Sequence, residues 1–260
     1  DMLTSYERVN HARKGSRPLG AYYIENMLTE FVELHGDRKY RDDGAIVGGI
    51  GFFDGIPVTA IAMERGTTIE ERMRRNFGCP SPDGYRKALR LMKQAEKFRR
   101  PVITIINSSG AYCGIDAEER GQGQAIADNL MEMMTLKTPV LAIVAGEGGS
   151  GGALALSVAD RIIMLENAVY SVISPEGCAS ILWKDAKKAP EASEALKLTA
   201  QDLYTFGVAD CVIPENEDAP EVICNRLKEE IRKDLKKLMP LNPEELTALR
   251  YEKFRKIGAF

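Results

Sequence analysis

The chain has 260 residues, 44% hydrophobic and 28% charged, with a formal net charge of −3. That suits one large globular domain or two small ones and excludes a disordered chain, because so much apolar material offsets the ordering entropy. Mild acidity disfavours wholesale binding to nucleic acid or membrane, and no apolar run approaches the roughly 20 residues of a membrane span. Residues 45–53 and 57–63 read as strands joined at Asp54-Gly55, a hairpin signal. Residues 83–99 read as a helix, with Tyr85, Ala88, Leu89, Met92 and Ala95 on one stripe. A β-branched strand follows at 101–106, then a helix at 116–134 whose acids Asp116, Glu118 and Glu119 suit its positive end. The longest apolar run, 139–145, is another buried strand; a glycine-rich turn and a short helix at 151–158 come next. Strands at 161–165 and 168–172 precede a helix opened by Ser174-Pro175-Glu176, and another runs from Thr199 to its stop at Gly207. A late strand at 208–213 leads to an amphipathic helix at 219–238, with Ile223, Leu227, Ile231, Leu235 and Leu238 on one stripe, and Asn242-Pro243-Glu244 opens the last helix.

This is an α/β pattern of strand–turn–helix units. It predicts a single domain over 1–260: a helical arm over 1–40, a core over 41–215 and a second helical arm over 216–260. No signal-peptide pattern opens the given sequence. Five cysteines lack any C-x-x-C pair, so a zinc ribbon and a disulfide framework are both disfavoured and the expectation is reduced thiols in the cytoplasm. Between Arg72 and Arg100 ten basic residues face only Asp83 and Glu96. That reads as a solvated helix face, with a phosphate-bearing ligand or an acidic partner as the alternative.

Gly146-Glu-Gly-Gly-Ser-Gly-Gly152 matches three patterns. Gly146, Gly148 and Gly151, with Glu166 about 20 residues on, spell a dinucleotide-binding fingerprint. Gly148-Gly-Ser150-Gly-Gly152 spells a nucleophile elbow. That chemistry needs a histidine base, and the only histidines, His11 and His35, lie far upstream. The third reading is a set of bare backbone N–H groups at a strand–helix junction, suited to an oxygen that develops negative charge. A second segment, Asn107-Ser-Ser-Gly-Ala-Tyr-Cys-Gly114, has the same layout after its own strand. Two such segments in consecutive units favour enolate or oxyanion chemistry.

Several runs then resemble one family. Asn76-Phe-Gly-Cys-Pro-Ser-Pro-Asp-Gly-Tyr-Arg-Lys-Ala-Leu-Arg-Leu-Met92, Gly110-Ala-Tyr-Cys-Gly114, Ala117-Glu-Glu-Arg-Gly-Gln122, Gly146 to Leu154 and Ser174 to Trp183 are similar to the alpha subunit of bacterial acetyl-CoA carboxylase carboxyltransferase. His35-Gly-Asp-Arg38 and Asp42-Asp-Gly-Ala-Ile-Val-Gly-Gly49 match too, so the likeness covers roughly 17–215. The resemblance implies a crotonase-like spiral of ββα units. It implies an assembly of two alpha and two beta subunits, with active sites where the two meet and the family's zinc in the beta subunit. It implies transfer of a carboxyl group from carboxybiotin, on a separate biotin carboxyl carrier protein, to acetyl-CoA; malonyl-CoA is formed for fatty-acid synthesis. Biotin carboxylase is the further partner in the larger complex, and ATP binding comes with the same likeness. Carboxybiotin releases CO₂, the biotin enolate takes a proton from the acetyl methyl group, and the thioester enolate attacks CO₂. Two oxyanions need two sets of N–H donors, each worth about 3–4 kcal/mol of transition-state stabilisation, and no side-chain base.

By this resemblance Gly151, Gly152 and Ala153 hold the biotin-side oxygen. Gly148, Gly149 and Ser150, with Gly110, Ala111, Tyr112 and Gly114, shape the biotin pocket. Some positions depart from the family's pattern: Asn107-Ser-Ser109 replaces Asp-Thr-Pro or Asp-Thr-Ala, Cys113 stands where Pro is usual, and Arg65 where Lys is. A stretch that usually contains glycine reads Asn216-Glu-Asp-Ala. These departures keep open a different biotin-dependent acyl-CoA carboxylase or decarboxylase subunit, or a catalytically silent scaffold. Cys113 is expected to be buried, Trp183 and Phe98 to lie in the core or an interface, and His35 to satisfy local hydrogen bonds.

Overall fold

Thr4 opens the first helix with a capping box to Glu7. Two short helices, α1 (Ser5–Ala12) and α2 (Gly20–Met27), lead into strand β1 (Thr29–Glu33) in the computed structural model, which describes residues 3–259. β2 (Ile46–Phe53) and β3 (Ile56–Met63) form the expected hairpin, with Asp54 at φ 48° and Gly55 at φ 79° giving the left-handed pair of a tight turn. After α3 (Ile69–Arg74) comes α4 (Pro82–Lys97), with Pro82 at its first position and Tyr85, Ala88, Leu91, Met92 and Ala95 buried. Leu91 thus joins the stripe, whereas Leu89 is half-buried.

β4 (Val102–Ser108) is buried throughout, as a strand covered on both faces must be. The helix expected over 116–134 is two, α5 (Ile115–Glu119) and α6 (Gln122–Met134), broken at Gly121, which sits left-handed at φ 80°. The apolar period runs through the break and hides it. β5 (Val140–Gly149) leads into α7 (Ser150–Leu154), then β6 (Arg161–Leu165) and β7 (Val169–Ser171). Ser174 caps α8 (Pro175–Trp183), and α9 (Ala189–Leu196) and α10 (Ala200–Thr205) follow. β8 shrinks to Cys211–Ile213, because the N–H groups of Val208 and Ala209 turn back to the Leu203 carbonyl and finish α10. Two long helices, α11 (Pro220–Leu238) and α12 (Pro243–Lys256), end the chain.

The strands make one sheet in the order β1-β2-β3-β4-β5-β6-β8, with β7 added to β5. β1 to β3 are antiparallel and the rest parallel. The segment 1–40, expected to be helical, therefore also supplies the edge strand β1, whose largely exposed residues leave little apolar pattern to read. Tyr23, Ile24 and Met27 of α2 and Ile223, Leu227, Ile231 and Leu235 of α11 pack in the same apolar core as β3, β4 and β5. Phe98 and Trp183 are exposed, Phe98 lying beside Lys97 and Arg100.

The basic stretch is mostly a bracing network. Arg86 pairs with Asp37 and Asp83, Arg41 and Arg120 also reach Asp83, and buried Lys87 pairs with Asp42 while donating to the Ile46 carbonyl. Arg75 and Arg90 donate to carbonyls of Gly44 and Gly36. These contacts fasten α4 to the segment ahead of β2, so the solvated-face reading fails for these residues. No helix of the described residues is long and apolar enough to cross a membrane.

Candidate functional site

β4 and β5 lie side by side in parallel register from Val102↔Val140 to Ile106↔Val144, then resume at Ser108↔Gly148. Two steps on β4 thus face four on β5, and the extra backbone bulges. Asn107 fills the bulge: its Oδ1 accepts the Glu147 N–H at 3.2 Å. A Cβ at Gly146 would stand 2.4 Å from that oxygen, so only glycine fits there. The two segments then touch backbone to backbone. A Cβ at Gly149 would lie 2.1 Å from the Ser109 carbonyl oxygen, and one at Gly152 would lie 2.4 Å from the Ala111 nitrogen. Gly110, Ala111, Gly149 and Gly152 are therefore brought together.

The glycine-rich run is only partly a turn. Glu147, Gly148 and Gly149 continue β5 by pairing with Val169, Tyr170 and Ser171. The reversal falls on Ser150, a non-glycine residue at φ 55°, and α7 starts there. Such a residue stores roughly 1–3 kcal/mol of strain, typical of functional sites. Among the described residues, the Gly151 and Gly152 N–H groups have no backbone acceptor in a turn, loop or cap, and no partner four residues back exists inside a helix that begins at Ser150. Ala153 is fully buried in the core behind them.

The runs that carried the resemblance support this junction. Buried Tyr85 of α4 donates its hydroxyl to the Gly152 carbonyl at 3.1 Å. Burial raises its pKa well above the ordinary value, so it stays a donor. The Tyr112 N–H donates to the Pro80 carbonyl, and the Gln122 amide donates to both the Pro80 and Tyr112 carbonyls. The Tyr112 backbone is thus fastened to Pro80, and its phenol lies so close to Gly114 that a Cβ there would meet the hydroxyl oxygen at 2.5 Å.

Two cavities run along the segment. One, about 250 Å³, is bordered by Ser109, Gly148, Gly149 and Ser150. The next, about 420 Å³, begins at Ser150 and Gly151 and has apolar walls from Leu154, Ile162, Tyr170, Leu203 and Phe254. Sequence reasoning missed these wall residues. They come from four later elements and the end of the chain, and nothing in their spacing marks them. Tyr170 is held by a 2.6 Å hydrogen bond between its hydroxyl and that of Ser157.

Two of the letter matches fail on geometry. The dinucleotide pattern needs a phosphate-cradling loop at 146–149, where the chain is still strand, paired over Glu147 to Gly149, and Glu166 spends its carboxylate on the Glu215 and Asn216 N–H groups. Ser150 does sit at a strained strand-to-helix reversal, but the histidines are engaged elsewhere, His11 with Arg17 and His35 with Asp42. His35 thus satisfies local hydrogen bonds, as expected. Cys113 is exposed, against the expectation of burial. It lies in the open segment between β4 and α5.

A family model described as acetyl co-enzyme A carboxylase carboxyltransferase-like matches residues 1–258. The acetyl-coenzyme A carboxylase carboxyl transferase subunit alpha of Clostridium botulinum (strain Alaska E43 / Type E3) is 55% identical over 257 residues, covering 97% of this chain and 94% of that protein. The namesake from Clostridium acetobutylicum is 53% identical, over 99% and 96%. A Clostridium tetani protein named subunits beta/alpha is 52% identical, the match covering 99% of this chain and 46% of that longer one. Among solved structures, transcarboxylase 12S superposes with a TM-score of 0.72 at 18% identity, covering 87% of this chain and 43% of that one. A Pseudomonas malonate decarboxylase hetero-tetramer in complex with coenzyme A gives 0.71 at 15%, over 91% and 95%. At such identities the structures share the fold, that of the crotonase-like carboxyltransferases. The sequence matches go further, and the chain belongs to the acetyl-CoA carboxylase carboxyltransferase family, with that family's alpha subunits as its relatives over nearly its whole length.

Proposed function

We propose that Gly151 and Gly152, backed by Ala153, are the main-chain donors with which this chain serves as the alpha subunit of a carboxyltransferase that makes malonyl-CoA from acetyl-CoA. The observation that carries this reading is a pair of N–H groups without acceptors at a backbone crossing. Preorganised N–H donors of this kind stabilise an oxygen that gains negative charge as the reaction proceeds, and they need no reorganisation at that moment. Biotin fits the surroundings. Its ring system and tether are largely apolar, as are the walls of the 420 Å³ cavity, while its urea oxygen is an acceptor for the donors at the cavity's Gly151 end. Carboxybiotin, delivered by a separate carrier, supplies the carboxyl group in transferable form. Gly148, Gly149 and Ser150 border the cavities, while Gly110 and Ala111 pack backbone to backbone against Gly149 and Gly152 and so fix the donors' position, with Tyr112 and Gly114 next along the same segment.

A beta-type partner completes the site in this reading. Val172 borders both cavities yet is 76% exposed, and Leu154 is exposed beside it. Apolar walls open to water are surfaces that another subunit covers. The fused beta/alpha naming of the Clostridium tetani relative supports such a pairing. The carrier protein and biotin carboxylase are the further partners proposed, in an alpha₂beta₂ core. The five cysteines, none in a disulfide, accord with a cytoplasmic setting.

The test is reconstitution with a beta subunit, reading malonyl-CoA decarboxylation in the presence of biotin, with Gly151→Val as the variant. Valine keeps the main-chain N–H but sets a branched side chain beside it; if that bars the oxygen, turnover should fall about 10²- to 10³-fold, as when an oxyanion donor is lost, while the complex still assembles. Undiminished turnover in an assembled complex overturns the proposal. Substrate profiling with longer acyl-CoA thioesters decides the acyl preference.

A further inference from the structure

A third cavity, about 180 Å³, adjoins the glycine junction and shares Ser109 and Glu147 with the cavity over Gly149. Arg65, Arg72, Phe77, Asn107 and Ser108 complete its walls. Asn107 is 5% exposed. Because its oxygen accepts the Glu147 N–H, the orientation of the amide is fixed, and Nδ2 is left buried with no acceptor. Arg65 adds a second buried donor without an acceptor, its Nε, while one of its terminal nitrogens donates to the Lys14 carbonyl.

The charges are also unbalanced. Arg65 and Arg72 reach only backbone carbonyls among the described residues. The one carboxylate on the wall, Glu147, is taken up by Arg13 at 2.7 Å. Burial, and then the nearby Arg72 charge, lower the Arg65 pKa. Buried donors left empty are rare in native proteins because each forfeits a hydrogen bond, and an anionic oxygen is the acceptor that answers two of them at once.

We propose that this cavity is a subsite for a small singly charged oxyanion, a carboxylate or bicarbonate, gripped by the Asn107 amide and the Arg65 guanidinium. Its volume admits a carboxylate and excludes a nucleotide. Glu147 on the wall opposes a second negative charge, which favours a monoanion over phosphate dianion. The subsite depends on this chain's own donors and not on turnover. Where the carboxyltransferase reading also holds, the shared wall places the anion one cavity away from the proposed donors, along the same glycine segment.

The experiment titrates ¹³C-bicarbonate, monomethyl malonate (one carboxylate, as in a malonyl thioester) and inorganic phosphate into the full chain, alone and with a beta subunit, at constant ionic strength, reading ¹³C line broadening and calorimetric heat. Saturable binding of bicarbonate or monomethyl malonate is expected, with phosphate at least tenfold weaker. Bicarbonate alone marks a free-ion site, and monomethyl malonate alone a site for an acyl carboxylate. Asn107→Asp keeps an oxygen for the Glu147 N–H but replaces the donor with negative charge, so binding should weaken at least tenfold; Arg65→Gln should do the same. Thermal unfolding checks that both variants are folded. Equal binding by the two folded variants, phosphate as tight as monomethyl malonate, or a response matched by sodium chloride overturns the proposal. Carboxyl transfer is measured separately, so a failed subsite with intact turnover is told apart from a failed carboxyltransferase reading.

Discussion

The Tyr85 hydroxyl donates to the Gly152 carbonyl at 3.1 Å inside the core, tying α4 to the start of α7. That carbonyl accepts no N–H from the residues that close the short helix, since Ala155 and Leu156 turn to Gly151 and Ala153 instead. Tyr85→Phe removes the donor and leaves the carbonyl buried and unsatisfied. Stability should fall by about 1–3 kcal/mol in urea unfolding. If the proposed donors act in the transition state, turnover should fall through kcat more than KM, because the loosened Gly152 segment carries them. The loss should be constant across the ordinary pH range, since burial keeps the phenol protonated.

Gly151 and Gly152 separate packing from chemistry. A Cβ at 152 meets the Ala111 backbone at 2.4 Å, and backbone does not yield cheaply. One at 151 meets only the Ile126 side chain, at 3.8 Å. Gly152→Ala should therefore lower stability by about 1–3 kcal/mol. Gly151→Ala should stay within about 0.5 kcal/mol of the parent. Paired thermal and urea unfolding of the two variants checks this; equal losses would contradict the backbone crossing.

Part of this site was legible in the residues themselves. Two strand-plus-glycine segments in consecutive units pointed to two backbone clusters, because parallel strands in sequence tend to be neighbours in the sheet. Capping signals placed the ends of α8, α10 and α12, where Ser174, Thr199 and Asn242 accept the N–H groups expected of them. What stayed hidden was tertiary. The strand character of Glu147 to Gly149 depends on β7, a three-residue partner that no local pattern announces. Position 107 looked like a departure from a family pattern, and its grip on the β5 bulge appears only once β4 and β5 are in register. The Arg72–Arg100 stretch looked solvated because the acids that pair with Arg86 and Lys87 include Asp37 and Asp42, far upstream, and the carbonyls that take up Arg75 and Arg90 belong to the same distant segment.

Asp42 gives the fold an acid limit. Desolvation opposes its charge, but the Lys87 ammonium and the Gly36 N–H outweigh it and lower the pKa from 3.8 to about 2. A carboxylate depressed in the folded state stabilises fully above its unfolded pKa and loses that contribution as pH falls through the folded one. Between pH 4 and 2 the unfolded chain therefore binds more protons, and stability falls with falling pH. Asp42→Asn should flatten that limb by up to about one proton, read as the slope of unfolding free energy against pH. An unchanged slope would show that the Lys87 contact does not act on Asp42. Asp42 is 39% exposed, so salt should weaken the effect.

Arg250 secures the last helix to the body and, through it, a wall of the larger cavity. It is 1% exposed, pairs with both Asp160 oxygens at 2.9 and 2.7 Å, and donates to the carbonyls of Met133, Leu136 and Thr138. One turn further along, Phe254 lines that cavity. Arg250→Met keeps the bulk but strands the Asp160 charge and three buried carbonyls. Breaking one side of a buried pair typically costs about 3–5 kcal/mol. Asp160 also accepts the Val140 N–H at the start of β5, so the damage should reach the strand that carries the glycines. Hydrogen exchange should show faster opening of both α12 and the first residues of β5. Exchange confined to α12 would mean that Asp160 holds β5 without help from Arg250.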